Sequence, residues 1–324
     1  MTENHLELVK LVNNRLAELQ YGQDPKELYE PIRYIMSLGG KRMRPLLVML
    51  AYNLFKDDPE KIIDQAIAVE VFHNFTLVHD DIMDNAPLRR GKATVHEKWN
   101  ASTAILSGDV MMVKAYDLLL EAPGNLKQII KDFNEAAAGV CEGQQMDMNF
   151  ESLPSVSEET YINMIRLKTA VLLGYSLKLG ALLAETSQSN ADLLYDFGVK
   201  IGIGFQLKDD MLDVYGDQEK FGKQVGGDII SNKKTFLLLK ALELANEEQH
   251  DNLQFWLTKK EFDAQQKVKA VTKIYDQIGI HELTAAKMNE YFDMGFEALE
   301  KMEIPQEKRQ SLKSFAAYLI DREK

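Results

Sequence analysis

The sequence is poor in the features that mark most alternative classes. Strand signals are almost absent: few stretches alternate apolar and polar residues, and few Gly or Asn turns separate β-branched runs. A sandwich, a barrel or an alternating α/β chain is not expected. A single cysteine, Cys141, rules out a disulfide framework and suits a reducing cytosol. Basic residues are outnumbered, 38 Lys and Arg against 50 Asp and Glu, for a net charge of −12. Sequence-independent nucleic-acid binding needs a basic surface, so it is not expected either. The longest apolar run, Ala170 to Ala184, is interrupted by Lys178 and falls short of the roughly 20 residues that cross a bilayer. Nor does MTENHLELVK set a basic segment before an apolar one. No signal peptide and no stable membrane insertion are expected, and the expected location is cytoplasmic.

What the chain does have is helical periodicity. Leu8, Val12, Leu16 and Leu19 mark one face of a first helix over Leu6 to Leu19. A second helix runs from Pro25 to Leu38 and stops at Gly39-Gly40, and Pro45 opens a third. Helix is expected from Pro59 through Asp84, then a polar loop from Asn85 to Thr94. Further helices are expected over Val95–Glu121, Leu126–Met148, Glu158–Glu185 and Asn190–Val214, with Ser155 and Glu158 as a capping box. Tyr215 to Asn232, with four glycines, reads as a loop that could close over a site. Three more helices, broken near Leu257–Lys259, Gly279 and Pro305, finish the chain. Length alone permits two domains, yet no linker, low-complexity tract or short repeat divides the sequence. The expectation is one all-α domain over residues 1–324, a helical bundle around a central cavity, with 45% hydrophobic residues to build its core.

The acids are patterned. HDDIMD places Asp80 and Asp84 four apart, on one face of an otherwise apolar helix. Two stacked carboxylates repel each other unless a cation lies between them, and oxygen-only ligands suit a hard divalent ion such as magnesium. One such pair also fits a solvated helix end. The pattern returns, however, in FQLKDDMLD, where Asp209 and Asp213 again share a face of an apolar helix. Two copies facing each other across a cavity would hold several magnesium ions around a diphosphate. An acidic protein that binds diphosphate must concentrate its cations locally, and GGKRMRP and LRRG do so.

These stretches, with LSGD, GQQMD, LKT and DIISNKKT in the same order, resemble the trans-isoprenyl diphosphate synthases of the polyprenyl synthetase family from Gly39 to the end of the chain. The resemblance implies the class I isoprenoid synthase fold and a homodimer. It also implies a magnesium-dependent prenyltransferase, with three ions per site, joining isopentenyl diphosphate head-to-tail to dimethylallyl, geranyl or farnesyl diphosphate. By resemblance, Lys41, Arg44, His73 and Arg90 bind isopentenyl diphosphate. Arg89, Lys168, Lys223 and Lys233 bind the allylic diphosphate, Asp80, Asp84, Asp209 and Asp213 bind metal, and Thr169 and Gln206 face the cationic centre. Where the family often has Gly-Lys-x-Thr, this chain has Asn232-Lys233-Lys234-Thr235, so Lys234 could share the role of Lys233. The structural alternatives are ordinary: Lys41 and Arg44 as a basic helix cap, His73 as a core histidine, Lys223 and Lys233 as solvated loop charges. Lys168 is the hardest to explain that way, because it sits inside the apolar stretch Leu167 to Leu173.

Product length follows from the residues before the first acidic motif. Phe75, five positions before Asp80, and Phe72, three earlier, are candidates for the floor of the cavity. A bulky residue at the fifth position resembles the short-chain synthases. Thr76, with no second aromatic at the fourth position and no insertion, favours geranylgeranyl diphosphate, with fifteen or twenty-five carbons as alternatives. A class I terpene cyclase would lack the second acidic motif and the GGKRMRP cluster. A non-catalytic partner subunit would have lost metal ligands that are intact here.

Overall fold

The computed structural model describes residues 2–216 and 226–321. Lys223, most of the glycine-bearing loop and the basic Arg322-Glu323-Lys324 end lie outside the described residues. In order, the helices are α1 Glu3–Glu18, α2 Lys26–Ser37, α3 Met43–Asn53, α4 Ile63–Met83, α5 Val95–Lys98, α6 Ala101–Leu120, α7 Leu126–Ser152 and α8 Glu158–Ile165. They continue as α9 Val171–Leu183, α10 Gln188–Tyr215, α11 Gly227–Ile230, α12 Phe236–Leu244, α13 Glu247–Thr258, α14 Ala264–Ile278, α15 Ile280–Glu300 and α16 Gln306–Asp321. The only strands among the described residues are β1 Leu88–Arg89 and β2 Lys92–Ala93, antiparallel with Arg89 opposite Lys92. No described helix is long and apolar enough to cross a membrane.

The chain divides into two compact units, each assembled from separate stretches of sequence. Unit one comprises Met1–Glu135, Leu172–Tyr195 and Met302–Phe315; unit two comprises Ala136–Val171, Asp196–Lys301 and Ala316–Lys324. Unit one is built on α3 and α4. Every side chain from Leu46 to Tyr52 and from Gln65 to Phe72 is buried, so these turns are enclosed on all sides. Gly180 on α9 permits a backbone-close approach to α3, since a Cβ there would lie 2.2 Å from the Val48 carbonyl oxygen. Arg15 grips Asp64 with two hydrogen bonds of 2.7 and 3.0 Å, tying α1 to α4. Unit two packs Val214, Ile229, Leu237, Leu253, Val271, Tyr275 and Ile280 into one cluster. Glu158 at the start of α8 takes ion pairs from Lys240 at 2.7 Å and Lys287 at 3.1 Å, which joins α8 to α12 and α15.

Several expected boundaries move. The third helix opens at Met43, not Pro45, which instead occupies the first turn, where a missing N–H is tolerated. Asp84 is the C-cap of α4 and its N–H still donates to the Asp80 carbonyl at 2.8 Å. The expected loop contains a hairpin turned by Arg90 and Gly91, both at positive φ (53° and 73°), the backbone a two-residue hairpin needs. Asn100 breaks the expected Val95–Glu121 helix by capping the Thr103 N–H at 2.8 Å. Ser157, not Ser155, caps α8, because its hydroxyl is the one that reaches the Thr160 N–H, at 3.1 Å. The helix expected over Glu158–Glu185 contains a π turn, Arg166–Ala170. Five helices rather than three follow Asn232; Asn246 starts an unforeseen one through a capping box with Gln249.

Candidate active site

In unit one the cationic residues converge. Arg42, at the left-handed φ of 50°, turns inward and donates to Glu70 at 2.7 Å, with further bonds to Met36 O and Asn13 Oδ1. It is a structural residue that the pattern of motifs did not distinguish from its neighbours. Arg90 donates from Nη1 to the Gly39 carbonyl, and its guanidinium runs 3.0 Å from where a Gly40 Cβ would stand. Glycine there makes room for the arginine. Arg44 has a buried Nε with no hydrogen-bond partner. Burial, with the nearby charge of Arg90, pulls it down to about 10. Desolvation, then Arg42 and Arg89, likewise lower Arg90, with Glu70 opposing. His73 is held well below its usual value by burial and by the charges of Arg44, Arg90, Arg89 and Arg42, so it is neutral. Lys41, beside Arg42 in the chain, is exposed. The charges of four guanidinium groups thus act on one imidazole, opposed by the carboxylates of Glu70, held by Arg42, and Asp81, held by Arg89. Such a cluster is relieved by an anion.

The acidic motifs are sorted by burial. In the first, Asp81 is buried and receives three hydrogen bonds of 2.6–2.9 Å from Arg89, while Asp80 is half-buried and Asp84 exposed. Arg89, expected as a diphosphate ligand, therefore braces the middle acid through Nε and Nη2. In the second, in unit two, Asp210 is buried and accepts from the Tyr161 hydroxyl and from Gln206 Nε2 at 3.0 Å. Burial and the charge of Asp228 push Asp210 up to about 7. Asp209 and Asp213 are half-buried, and Asp213 Oδ2 accepts the Asp228 N–H at 2.8 Å. Among the described residues no three His, Cys, Asp or Glu gather into a ready-made cage. A hard ion that keeps waters and substrate oxygens needs none. The outer carboxylates are oxygen donors of the right kind, although Asp213 also accepts the Asp228 N–H, and carboxylate oxygens on more solvent-accessible positions than the buried middle acids fit magnesium.

Unit two also assembles Lys168, Thr169 and Gln206. Gly143 on α7 brings backbone onto backbone, since its Cβ would lie 2.2 Å from Lys168 N. Lys168 and Thr169 lie within the π turn, an insertion that re-aims side chains and recurs at functional sites. Lys168 pairs with Asp147 at 2.6 Å, which answers how its charge survives in an apolar stretch. Thr169 Oγ1 donates to Gln206 Oε1 at 3.0 Å. Lys233 lowers Asp210 by its charge, whereas Lys234 is taken up by the Phe150 carbonyl at the end of α7. The partners Glu70, Asp147 and Tyr161 were given no role by the motif pattern. Asp147 was visible within GQQMD, but nothing local marks Tyr161. In unit one, Phe72 is fully buried between Phe75 and Phe133, and Phe75 is partly exposed, 4.7 Å from the His79 ring. Thr76 turns its hydroxyl back to the His73 carbonyl at 2.8 Å.

The chain is similar to known proteins. A family profile described as polyprenyl synthetase matches residues 25–275. A geranylgeranyl pyrophosphate synthase of Geoglobus acetivorans is 37% identical over 317 residues, 97% of each chain. A geranylgeranyl diphosphate synthase of Saccharolobus solfataricus is 37% identical over 326 residues, 98% of this chain and 97% of the other. Among solved structures, a geranylgeranyl pyrophosphate synthase superposes with a TM-score of 0.94 at 40% identity, covering 99% of both chains. The described helices and these relatives place the chain in the polyprenyl synthetase family, as an all-α trans-prenyltransferase with the fold of the isoprenyl synthases.

Proposed function

We propose that the protein condenses isopentenyl diphosphate with an allylic diphosphate in the presence of magnesium and releases geranylgeranyl diphosphate. The observation that carries this reading is the guanidinium cluster around neutral His73, with the orphaned Nε of Arg44. It supports a diphosphate site separate from the acidic motifs, which a one-substrate cyclase would not need. The product assignment draws on the names of the relatives and on Phe75 with Thr76.

Asp80, Asp84, Asp209 and Asp213 would hold the magnesium, three ions in this reading, and bound metal would neutralise the allylic diphosphate as a leaving group. Lys168, Lys233, Arg89 and, outside the described residues, Lys223 would hold that diphosphate with fixed positive charge where negative charge develops. As the C–O bond breaks, Thr169 and Gln206 would offer oxygen dipoles to the allylic cation. Lys41, Arg44, His73 and Arg90 would hold isopentenyl diphosphate so that its double bond attacks, after which a proton passes to the departed diphosphate. Neutral His73 would act as a hydrogen-bond donor to phosphate without a charge of its own.

The whole chain is read as one catalytic domain, cytoplasmic, working as a homodimer. Leu106, Val113 and Leu120, seven apart on α6, are 58%, 57% and 53% exposed, which supports a helix face covered by a second copy. The test is incubation with isopentenyl and farnesyl diphosphates and magnesium. The expected outcome is a twenty-carbon product, suppressed by chelation and by Asp80→Ala or Asp209→Ala without loss of helix content. No consumption of isopentenyl diphosphate, or activity retained in both Asp variants, would refute the reading.

A further inference from the structure

Lys267 on α14 is a buried charge that the proposed chemistry leaves unused. It is 1% exposed, and desolvation pulls its pKa below the ordinary lysine value. Among the described residues its ammonium meets no carboxylate: Nζ donates to the Ile230 carbonyl at 3.1 Å and to Asn232 Oδ1 at 2.5 Å, and lies 4.3 Å above the Phe262 ring. An apolar side chain would fill this space at less cost, because an ammonium without a counter-charge is expensive to bury.

What the charge secures is a turn. The four residues of α11 are pinned at the start by Asp213, whose Oδ2 accepts the Asp228 N–H, and at the end by Lys267 on the Ile230 carbonyl. A cation at exposed carbonyls and an anion at exposed N–H groups both match the polarity of a helical turn. Asn232, which Lys267 grips by its side chain, holds a left-handed φ of 57°, and the Lys233 N–H closes the turn on the Asp228 carbonyl at 2.9 Å. Lys233 leaves the turn directly after the gripped residue. Asp228 and Lys233 both act by charge on Asp210 of the second acidic motif.

We infer that Lys267 is a positioning residue for the allylic-diphosphate site, fixing the turn that presents Lys233. The inference rests on the allylic role proposed for Lys233. Without Lys267 the ammonium of Lys233 loses its fixed origin, so allylic substrate binds less well while isopentenyl diphosphate is unaffected.

The test is a cycle of Lys267→Met, which keeps an unbranched stem, with Lys233→Ala. Lys267→Met should raise KM for farnesyl diphosphate about tenfold, the size of one lost charge-assisted contact, and leave KM for isopentenyl diphosphate within about twofold. In the Lys233→Ala background the same change should have no further effect on the allylic KM. Asn232→Gly, which suits the positive φ and removes the acceptor, should reproduce the pattern, and it carries the test if Lys267→Met does not fold. Equal rises in both KM values, additive effects in the cycle, or an unchanged allylic KM in Asn232→Gly and Lys267→Met overturn the inference alone. An unchanged allylic KM in Lys233→Ala overturns it together with the role of Lys233.

Discussion

Replacing Phe75 with alanine should lengthen the product with little loss of stability, whereas Phe72→Ala should cost the fold dearly. The two aromatics sit three apart on α4, with ring centroids 5.5 Å apart, yet their surroundings differ. Phe72 is fully buried and meets Phe133 edge-on at 5.1 Å; Phe133 in turn contacts Tyr116 at 5.0 Å and Tyr175 at 5.6 Å. Emptying the Phe72 position removes one ring of a packed cluster, at about 3–5 kcal/mol. In a chain of this size that lowers Tm by roughly 5–15 °C. Phe75 is only partly buried, and its loss should cost at most about half as much. Opening the floor further at Phe72 therefore needs a gentler substitution, and Phe72→Leu with Phe75→Ala keeps most of the packing. The assay is chromatography of dephosphorylated products from farnesyl diphosphate, beside calorimetry of each variant. A product distribution unchanged in the double variant refutes the floor assignment. A Phe72→Ala protein melting within about 2 °C of the parent refutes the packing argument.

Arg44→Ala and Arg90→Ala should raise KM mainly for isopentenyl diphosphate, about tenfold or more for a lost bidentate contact, and Lys168→Ala should impair mainly the allylic substrate. Equal effects on both substrates in steady-state kinetics would contradict the division. His73 has a folded pKa below its unfolded value near 6.5, so the unfolded state binds more protons just below that pH. Its contribution to stability is fully present above about 6.5 and is lost as the pH falls from there. His5 is lowered too and acts in the same direction. His73→Gln should flatten this acid limb in urea titrations, and inorganic pyrophosphate should raise the His73 pKa read by NMR; a free-protein value at or above 6.5 would contradict the cluster. Light scattering at micromolar concentration should give a dimer, and Leu106→Glu with Val113→Glu should reduce it to a monomer. An active monomeric parent would refute the assembly.

Much of this protein was legible in the chain because helices announce themselves locally. Apolar spacing, glycine stops and paired acids four apart are properties of a dozen neighbouring residues, so the helical class, the positions of both acidic motifs and the cationic GGKRMRP and LRRG stretches could be read without coordinates. Caps were read less well: Ser155 and Ser157 are equally plausible on paper, and only the position of the Thr160 N–H chooses between them. What tertiary structure alone decided is which member of each cluster is spent on the protein. Arg42 and Arg44 are two residues apart and identical in type, yet the left-handed backbone at Arg42 commits it to buried Glu70 while Arg44 keeps an unpaired Nε. Asp80 and Asp81 are adjacent acids, but Arg89, in the first strand after the loop that follows α4, takes the second. Lys168 finds Asp147 twenty-one residues away, and Asp210 finds Tyr161 forty-nine away. Hydrogen bonds and ion pairs act over about 3 Å of space and carry no trace of separation along the chain, which is why composition and spacing named the charges while packing assigned their work.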